Sequence, residues 1–224
     1  QAAVVPCQSY HLKLAIGDVG DGSFDSGVFL EGNSFNSQGT TVSSAVVSPG
    51  YTSTFEGCVN GTFNITLPQP AIASTVLTYT ITGTATNGSD YATLPGTIGV
   101  PFGSTTVSIP LNPIQDGITE GVETVTINII NPCDGSIYSS ATLNITDVPD
   151  FSISANPNPV CPGQLVQLNA TGGYTYAWSP PGQVSNATIA NPTTNPTATN
   201  TYSVTSTVGS CSSNGSVTVN VSSL

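Results

Sequence analysis

The chain has 224 residues, a length that fits one large domain or two to three ordinary domains. Twelve acidic residues stand against one lysine, which gives a formal net charge of −11 and excludes a nucleic-acid-binding surface. No apolar run approaches the roughly 20 residues that cross a bilayer, so no membrane span is predicted. No charged-then-apolar leader opens the chain, and we expect any export signal to lie upstream or to have been removed.

The residue types predict strands and turns. Methionine is absent, while Thr, Ser, Asn, Gly, Pro and Val carry most of the length. The predicted fold class is all-β, in tandem β-sandwich modules with almost no helix. Five cysteines without a Cys-x-x-Cys or Cys/His cluster indicate disulfides, which places the protein outside the cytosol, secreted or on a cell surface.

Residues 1–50 contain two apolar runs, His11 to Ile16 and Val28 to Leu30. Two or three strands cannot close a core alone, so we expect the end of a module whose beginning lies upstream. The glycine-rich loop between the runs carries three acids that form a second candidate metal site: Asp18, Asp21 and Asp25. Its spacing is not that of an EF-hand, and the alternative is that Asp18 and Asp21 only cap turns.

Residues 51–148 alternate apolar and polar side chains more regularly and predict one β-sandwich of roughly 100 residues. The expected strands cover residues 62–67, 77–82, 105–109, 123–130 and 141–145. The connector Val148–Asp150 contains a proline and is expected to be extended and stiff.

The acids of this middle module stand mainly at strand ends, and alternating strands would gather these ends at one pole. The candidate metal ligands are Glu56, Asp90, Asp116, Glu120, Glu123, Asp147 and Asp150. Crowded carboxylates without basic partners repel one another and raise their own pKa values, and a divalent cation removes that conflict. Oxygen ligands in flexible loops favour Ca²⁺ over Mg²⁺. The alternative is that the acids are simply solvated loop residues.

Two segments of the middle module resemble the signature segments of Calx-β domains. They are Gly83 to Tyr91, reading GTATNGSDY, and Ile114 to Glu123, reading IQDGITEGVE. The resemblance implies calcium-ligand positions at Glu56, Asp90, Asp116, Glu120, Glu123 and Asp147, with the Ile118 carbonyl as an addition. Where calcium-rich members carry aspartate runs, this chain has Gln115–Gly117 and Asp147–Pro149, so one or two ions are expected.

Residues 151–224 predict a smaller sandwich, and this part contains no Asp, Glu, Lys, Arg or His. Its expected strands are 166–168, 174–178, 201–205 and 216–221. The segments VCPG from Val160, YTYAWSP from Tyr174 and TYSV from Thr201 are similar to PKD-like or Ig-like repeats of secreted Bacteroidota proteins. Trp178 is expected to pack on the sheet. The alternative, in which Trp178 or Tyr202 stacks on sugar rings, is less common.

The cysteines leave several pairings open. Cys161 and Cys211 lie near the two ends of the third module and are expected to staple it, with Trp178 between them as in an Ig-like arrangement. The count favours Cys58 with Cys133, although strand alternation places them at opposite poles. Cys7 then takes a partner upstream, or takes one of those two cysteines itself.

The stretch from His11 to Phe35 resembles the C-terminal end of choice-of-anchor L type domains, which occur in large surface proteins of Bacteroidota. The resemblance implies that residues 1–50 end a jelly-roll-like module and that its acidic loop has a metal-binding or structural role. The three modules are therefore 1–50, choice-of-anchor L-like; 51–148, Calx-β-like; and 151–224, PKD/Ig-like.

No catalytic function is predicted. The chain has one His and one Lys for general acid–base work, and its carboxylates lie in polar turns rather than in an apolar cleft. The predicted function is structural: a calcium-stiffened segment of a large secreted or cell-surface bacterial adhesin or filament, akin to gliding-motility adhesins and type IX secretion cargo. Its partners would be other modules of the same chain, further copies in an oligomer or filament, or a surface or glycan ligand.

Two other functions fit the same sequence. One is a calcium-dependent, lectin-like binding module, and the other is a non-catalytic accessory region of a secreted hydrolase.

Overall fold

The computed structural model describes residues 41–46 and 50–222, and of residues 41–46 it describes the backbone. The predicted acidic loop with Asp18, Asp21 and Asp25 lies outside the described residues, as does Cys7. Across the described ranges the chain is built from strands and turns, with one 3-10 turn at Pro181–Gln183. None of the described segments forms a helix long and apolar enough to cross a membrane. The all-β prediction is confirmed.

The described residues form eight strands in the first sandwich. They are β1 (Thr41–Val46), β2 (Thr54–Phe55), β3 (Gly61–Thr66), β4 (Thr75–Gly83), β5 (Thr97–Val100), β6 (Thr106–Leu111), β7 (Val122–Ile130) and β8 (Ile137–Thr146). One sheet has the order β1-β3-β6, and the other has the order β2-β8-β7-β4-β5. All pairs are antiparallel except the short β2–β8 pair, which is parallel.

Strand β1 belongs to the first sandwich although it lies before residue 50, where the sequence analysis ended the first module. It pairs along its whole length with β3, from Thr41 opposite Thr66 to Val46 opposite Gly61. The segment reads TVSSAV and alternates only weakly, because two consecutive serines, Ser43 and Ser44, stand in its middle. Pairing with β3, rather than local hydrophobic pattern, assigns it to this sheet.

The core of the first sandwich comes from the inward positions of strands in both sheets. Phe63 and Ile65 lie two apart on β3, and Val125, Ile127 and Ile129 do the same on β7. All five are almost fully buried, as the two-residue period of a strand requires. Burying such side chains contributes roughly 1.5–3 kcal/mol each.

The second sandwich contains six strands. They are β9 (Ile153–Asn156), β10 (Val166–Ala170), β11 (Thr175–Ser179), β12 (Thr193–Thr194), β13 (Asn200–Val208) and β14 (Cys211–Val219). Its sheets have the orders β12-β10-β9 and β11-β13-β14.

Two of the large polar side chains in the core of the second sandwich are hydrogen-bonded, whereas the buried hydroxyl of Ser206 has no partner. The Trp178 side chain is 3% exposed, and its Nε1–H donates to the carbonyl of Ile189 at 2.9 Å. The hydroxyls of Thr194 and Tyr202 lie 2.7 Å apart in the core. Trp178 is therefore a core residue, as predicted.

A third apolar cluster joins the two sandwiches, and we call it the joint cluster. Its members are Tyr51, Phe55, Cys58, Val59, Val148, Val208 and Cys211. The rings of Tyr51 and Phe55, from the first sandwich, lie 4.7 Å and 5.4 Å from the ring of Tyr174, from the second. The two sandwiches thus share a packed contact.

A disulfide crosses the joint cluster between Cys58 and Cys211, whose Cα atoms are 5.2 Å apart. The predicted pairing of Cys161 with Cys211 is wrong, because Cys161 is a free, exposed thiol. The pairing of Cys58 with Cys133 is wrong as well, although Cys133 is itself disulfide-bonded. Cysteine spacing within a module could not show this bond, since its two residues are 153 positions apart in different modules.

Candidate cation site

The site is organised by a tight turn at Phe55–Val59, which follows β2. The backbone N–H groups of Cys58 and Val59 both donate to the carbonyl of Phe55, at 3.0 Å, so the turn closes on itself. Glu56 N–H donates to the carbonyl of Thr146 at 3.2 Å, at the end of β8. This bond holds the Glu56 backbone where the strands end.

Glu56 is a buried residue in a strongly negative environment. It is 4% exposed, and one of its carboxylate oxygens lies within 4.8 Å of oxygens of Asp116 and Glu120. Desolvation is the main cause that raises its pKa, followed by the negative charges of Asp147 and Asp116. A buried carboxylate in this state is unfavourable unless a proton or a cation neutralises it.

Two groups of carboxylates meet around this turn. Oxygens of Glu56, Asp116 and Glu120 lie within 4.8 Å of one another, and oxygens of Asp90, Glu120 and Glu123 do the same. Glu120 belongs to both groups, so the five acids form one continuous set that we call the acidic pole. The segments that supply them are the turn after β2, the β4–β5 connection, the β6–β7 connection and the start of β7.

Backbone amides anchor the loops of the acidic pole. Gly121 N–H donates to Oδ2 of Asp147 at 2.8 Å, and Glu120 N–H donates to the same oxygen at 3.2 Å. Ile118 N–H donates to Oδ1 of Asp116 at 2.8 Å, which closes a local turn. These bonds hold the backbone of the β6–β7 connection in place, and its carboxylates stay close to those of the other segments.

The acidic pole carries uncompensated negative charge. Residues 41–222 contain no Lys, Arg or His, so no basic side chain of the described ranges can neutralise it. Desolvation, the charges of Asp90 and Glu120, and a hydrogen bond with Asp90 raise the pKa of Glu123 to about 7. Oε2 of Glu123 is also buried without a hydrogen-bond partner.

The donor set fits a hard divalent cation. All candidate ligands are carboxylate oxygens from four separate segments, three of them turns or connections and one the start of β7. Ca²⁺ takes oxygen ligands of this kind, and Mg²⁺, with its rigid octahedral shell, takes them less readily. The buried, unpartnered Oε2 of Glu123 is an oxygen that such an ion would satisfy.

The structure brings together most of the acids that the sequence analysis selected in the middle module. Five of them form the acidic pole, and Asp147 adjoins it through the amides of Glu120 and Gly121. Asp150 is exposed and belongs to neither group of oxygens. The sequence analysis missed that the turn carrying Glu56 is disulfide-bonded to the second sandwich, and no local signal could have indicated it.

Comparison with known proteins gives one family match and several similar structures. Residues 1–36 match the family model of the Choice-of-anchor L domain. No curated protein matches the chain. The family match covers only the start of the chain and assigns neither sandwich to a family.

Three solved structures illustrate the similarity. The calcium-binding domain CBD12 of CALX1.1 is 15% identical, with a TM-score of 0.41 over 74% of this chain and 78% of that one. The apo-form Calx CBD1 domain is 22% identical, with a TM-score of 0.37 over 50% of this chain and 99% of that one. A C-terminal fragment of intimin, solved with the intimin-binding domain of its translocated receptor, is 16% identical, with a TM-score of 0.42 over 79% and 64%.

Proposed function

We propose that this chain is a non-catalytic, calcium-stiffened segment of a large secreted or cell-surface bacterial adhesin or filament. The observation that supports it best is the buried, unpartnered Oε2 of Glu123, which lies in a group of five carboxylates that no basic residue of the described ranges can neutralise. A protein keeps such a group charged only when something positive binds it.

Calcium would be held by Glu56, Asp90, Asp116, Glu120 and Glu123, with Asp147 holding the Glu120–Gly121 backbone in place. The ion would supply positive charge that removes the mutual repulsion of these groups. Because the ligands come from separate loops, binding would tie the end of the sandwich together and reduce the motion of these loops. One or two ions fit the two overlapping groups of oxygens.

The remaining parts of the proposal concern the setting of the segment. The match of residues 1–36 to the Choice-of-anchor L domain and the disulfides support a secreted or surface protein. We propose that the segment belongs to a large Bacteroidota surface protein of the kind that includes type IX secretion cargo and gliding adhesins. Its partners would be neighbouring modules of the same chain and further copies in an oligomer or filament.

Calcium titration by calorimetry, together with melting in calcium and in EDTA, tests the proposal. We expect saturable binding of one or two ions and a higher melting temperature of the first sandwich in calcium. Absence of binding, or identical melting curves in calcium and EDTA, would contradict it. Glycan-array binding that disappears with chelator would favour the lectin-like function instead.

A further inference from the structure

We propose that the second sandwich sets the cation affinity of the first, because the Cys58–Cys211 disulfide and the joint cluster hold the acidic pole in its binding geometry. This inference rests on the proposed function and concerns the regulation of that same site. Cation binding and closure of the joint would then be one coupled equilibrium.

The turn Phe55–Val59 carries residues of both the cation site and the joint cluster. Phe55, Cys58 and Val59 belong to the joint cluster, while Glu56 belongs to the acidic pole. Gly57 N–H donates to the carbonyl of Pro113 at 3.2 Å, which ties the turn to the segment before Asp116. A displacement of this turn from the second sandwich would therefore carry Glu56 with it.

The connector between the sandwiches also has residues beside the cation site and in the joint cluster. Asp147 accepts hydrogen bonds beside the acidic pole, and the next residue, Val148, packs in the joint cluster. The carbonyl of Asp150 accepts a hydrogen bond from Oγ1 of Thr171 at 3.2 Å, and Phe151 packs on the core of the second sandwich. Residues 147–151 thus connect the cation site with the joint cluster and with the core of the second sandwich.

The β13–β14 turn closes tightly on the turn that carries Glu56. Ser210 N–H donates to the carbonyl of Cys58 at 3.0 Å, and Gly209 N–H donates to the Tyr51 hydroxyl at 2.7 Å. A Cβ atom on Gly209 would lie 2.2 Å from the Cys58 carbonyl oxygen and 2.4 Å from Cγ2 of Val59. A Cβ atom would clash with both atoms, so this contact between the two turns requires glycine at position 209.

A closed joint raises calcium affinity because the ligands are already held in place and the ion has to order them less. Opening the joint frees Glu56 and Asp147, and the ion then has to restrict both again. We expect calcium binding to weaken about tenfold when the joint is opened, within the range typical of coupling between two sites. By reciprocity, saturating calcium should favour the closed joint by the same factor.

Two independent variants open the joint. Cys58→Ser with Cys211→Ser removes the bond, and Cys161→Ser, which changes a free exposed thiol, is its control. Gly209→Ala keeps the disulfide residues but forces the turns apart. Gly163→Ala is its matched control, because Gly163 also has a positive φ, of 77°, but has no atom within 4 Å of an added Cβ.

Calorimetric calcium titration of these variants is the primary measurement. Weaker binding in the double serine variant and in Gly209→Ala, with unchanged binding in both controls, is the expected result. Trp178 fluorescence shows that the second sandwich remains folded; should the double variant fail to fold, Gly209→Ala decides the question. Unchanged affinity in the joint-opening variants overturns the inference but leaves the proposed function intact, whereas absence of calcium binding in the unmodified protein overturns both.

Reduction of the Cys58–Cys211 bond by dithiothreitol, followed by mass spectrometry of the labelled thiols, tests the reciprocal effect. Calcium should slow this reduction about tenfold, because the thiol reagent attacks the open joint. An equal rate with and without calcium would refute the coupling.

Discussion

Replacement of Glu56 by glutamine should have opposite effects on the calcium-free and calcium-bound protein. The substitution keeps the shape of the side chain and removes its charge. Without calcium it relieves the repulsion from Asp116 and Glu120, whose oxygens lie within 4.8 Å of a Glu56 oxygen. The new amide can also donate a hydrogen bond to one of these carboxylates.

The size of the stabilising effect can be bounded. At pH 7 the most that a strained carboxylate can cost is the free energy of protonating it, about 3.4 kcal/mol for a group with an ordinary pKa of 4.5. Glu56→Gln should therefore stabilise the calcium-free first sandwich by about 1–3 kcal/mol. For a domain of this size that is a rise in melting temperature of about 4–8 °C for each kcal/mol.

With calcium the sign reverses, because the variant lacks a charged ligand, and we expect at least a tenfold loss of affinity. Scanning calorimetry in EDTA and calcium titration measure the two effects. Asp134→Asn is the control, since Asp134 lies in the β7–β8 turn, outside the acidic pole, and its Oδ1 accepts from Ser136 N–H as an amide oxygen also would. If Glu56→Gln destabilises the EDTA form, or leaves calcium affinity equal to that of the control, the reasoning about the buried charge is wrong.

Three further outcomes follow. The free energy of unfolding of the calcium-free protein should fall by about 1–2 kcal/mol between pH 5 and 7, after allowance for solvent screening. The reason is that Glu123 has a pKa of about 7 in the folded protein and about 4.5 in the unfolded chain, so the folded state keeps this proton to higher pH. Calcium affinity should rise over the same pH range, and calorimetry at several pH values measures both effects. Gly83→Ala should destabilise by about 2–4 kcal/mol in urea unfolding, since its Cβ would lie 2.0 Å from the Thr124 carbonyl oxygen, whereas Gly103→Ala, with open space, should cost much less. Thr194→Val should cost about 1–3 kcal/mol in the second sandwich, followed by tryptophan fluorescence, because it leaves a buried tyrosine hydroxyl unpaired.

The sequence predicted the strands with a clear two-residue period. The expected strand at 123–130 corresponds to β7, and the one at 201–205 lies within β13. The strands it missed, such as β1 and the two-residue β2, are short or weakly alternating and are fixed by pairing with distant strands. Local pattern carries no information about such pairing.

The candidate site was partly predictable for a similar reason. Acids at strand ends must meet when strands alternate in direction, so the grouping of Asp90 with Glu123 followed from the order of the strands. The burial of Glu56 did not follow, because it depends on a turn that is covered by the second sandwich. The pairing of Cys58 with Cys211 depends on how the sandwiches dock, which residue spacing does not encode.

The position of that disulfide also decides how the segment would respond to pulling. Tension entering the chain before Cys58 and leaving after Cys211 passes through the sulfur–sulfur bond rather than through the 153-residue interval between them. At roughly 3.3 Å per residue, the interval that the bond bypasses has a contour length of about 500 Å, and this length cannot extend while the bond is intact. Most of both sandwiches therefore bears no load. In single-molecule stretching, the extension that corresponds to unfolding of this interval should be seen only after the disulfide has been reduced.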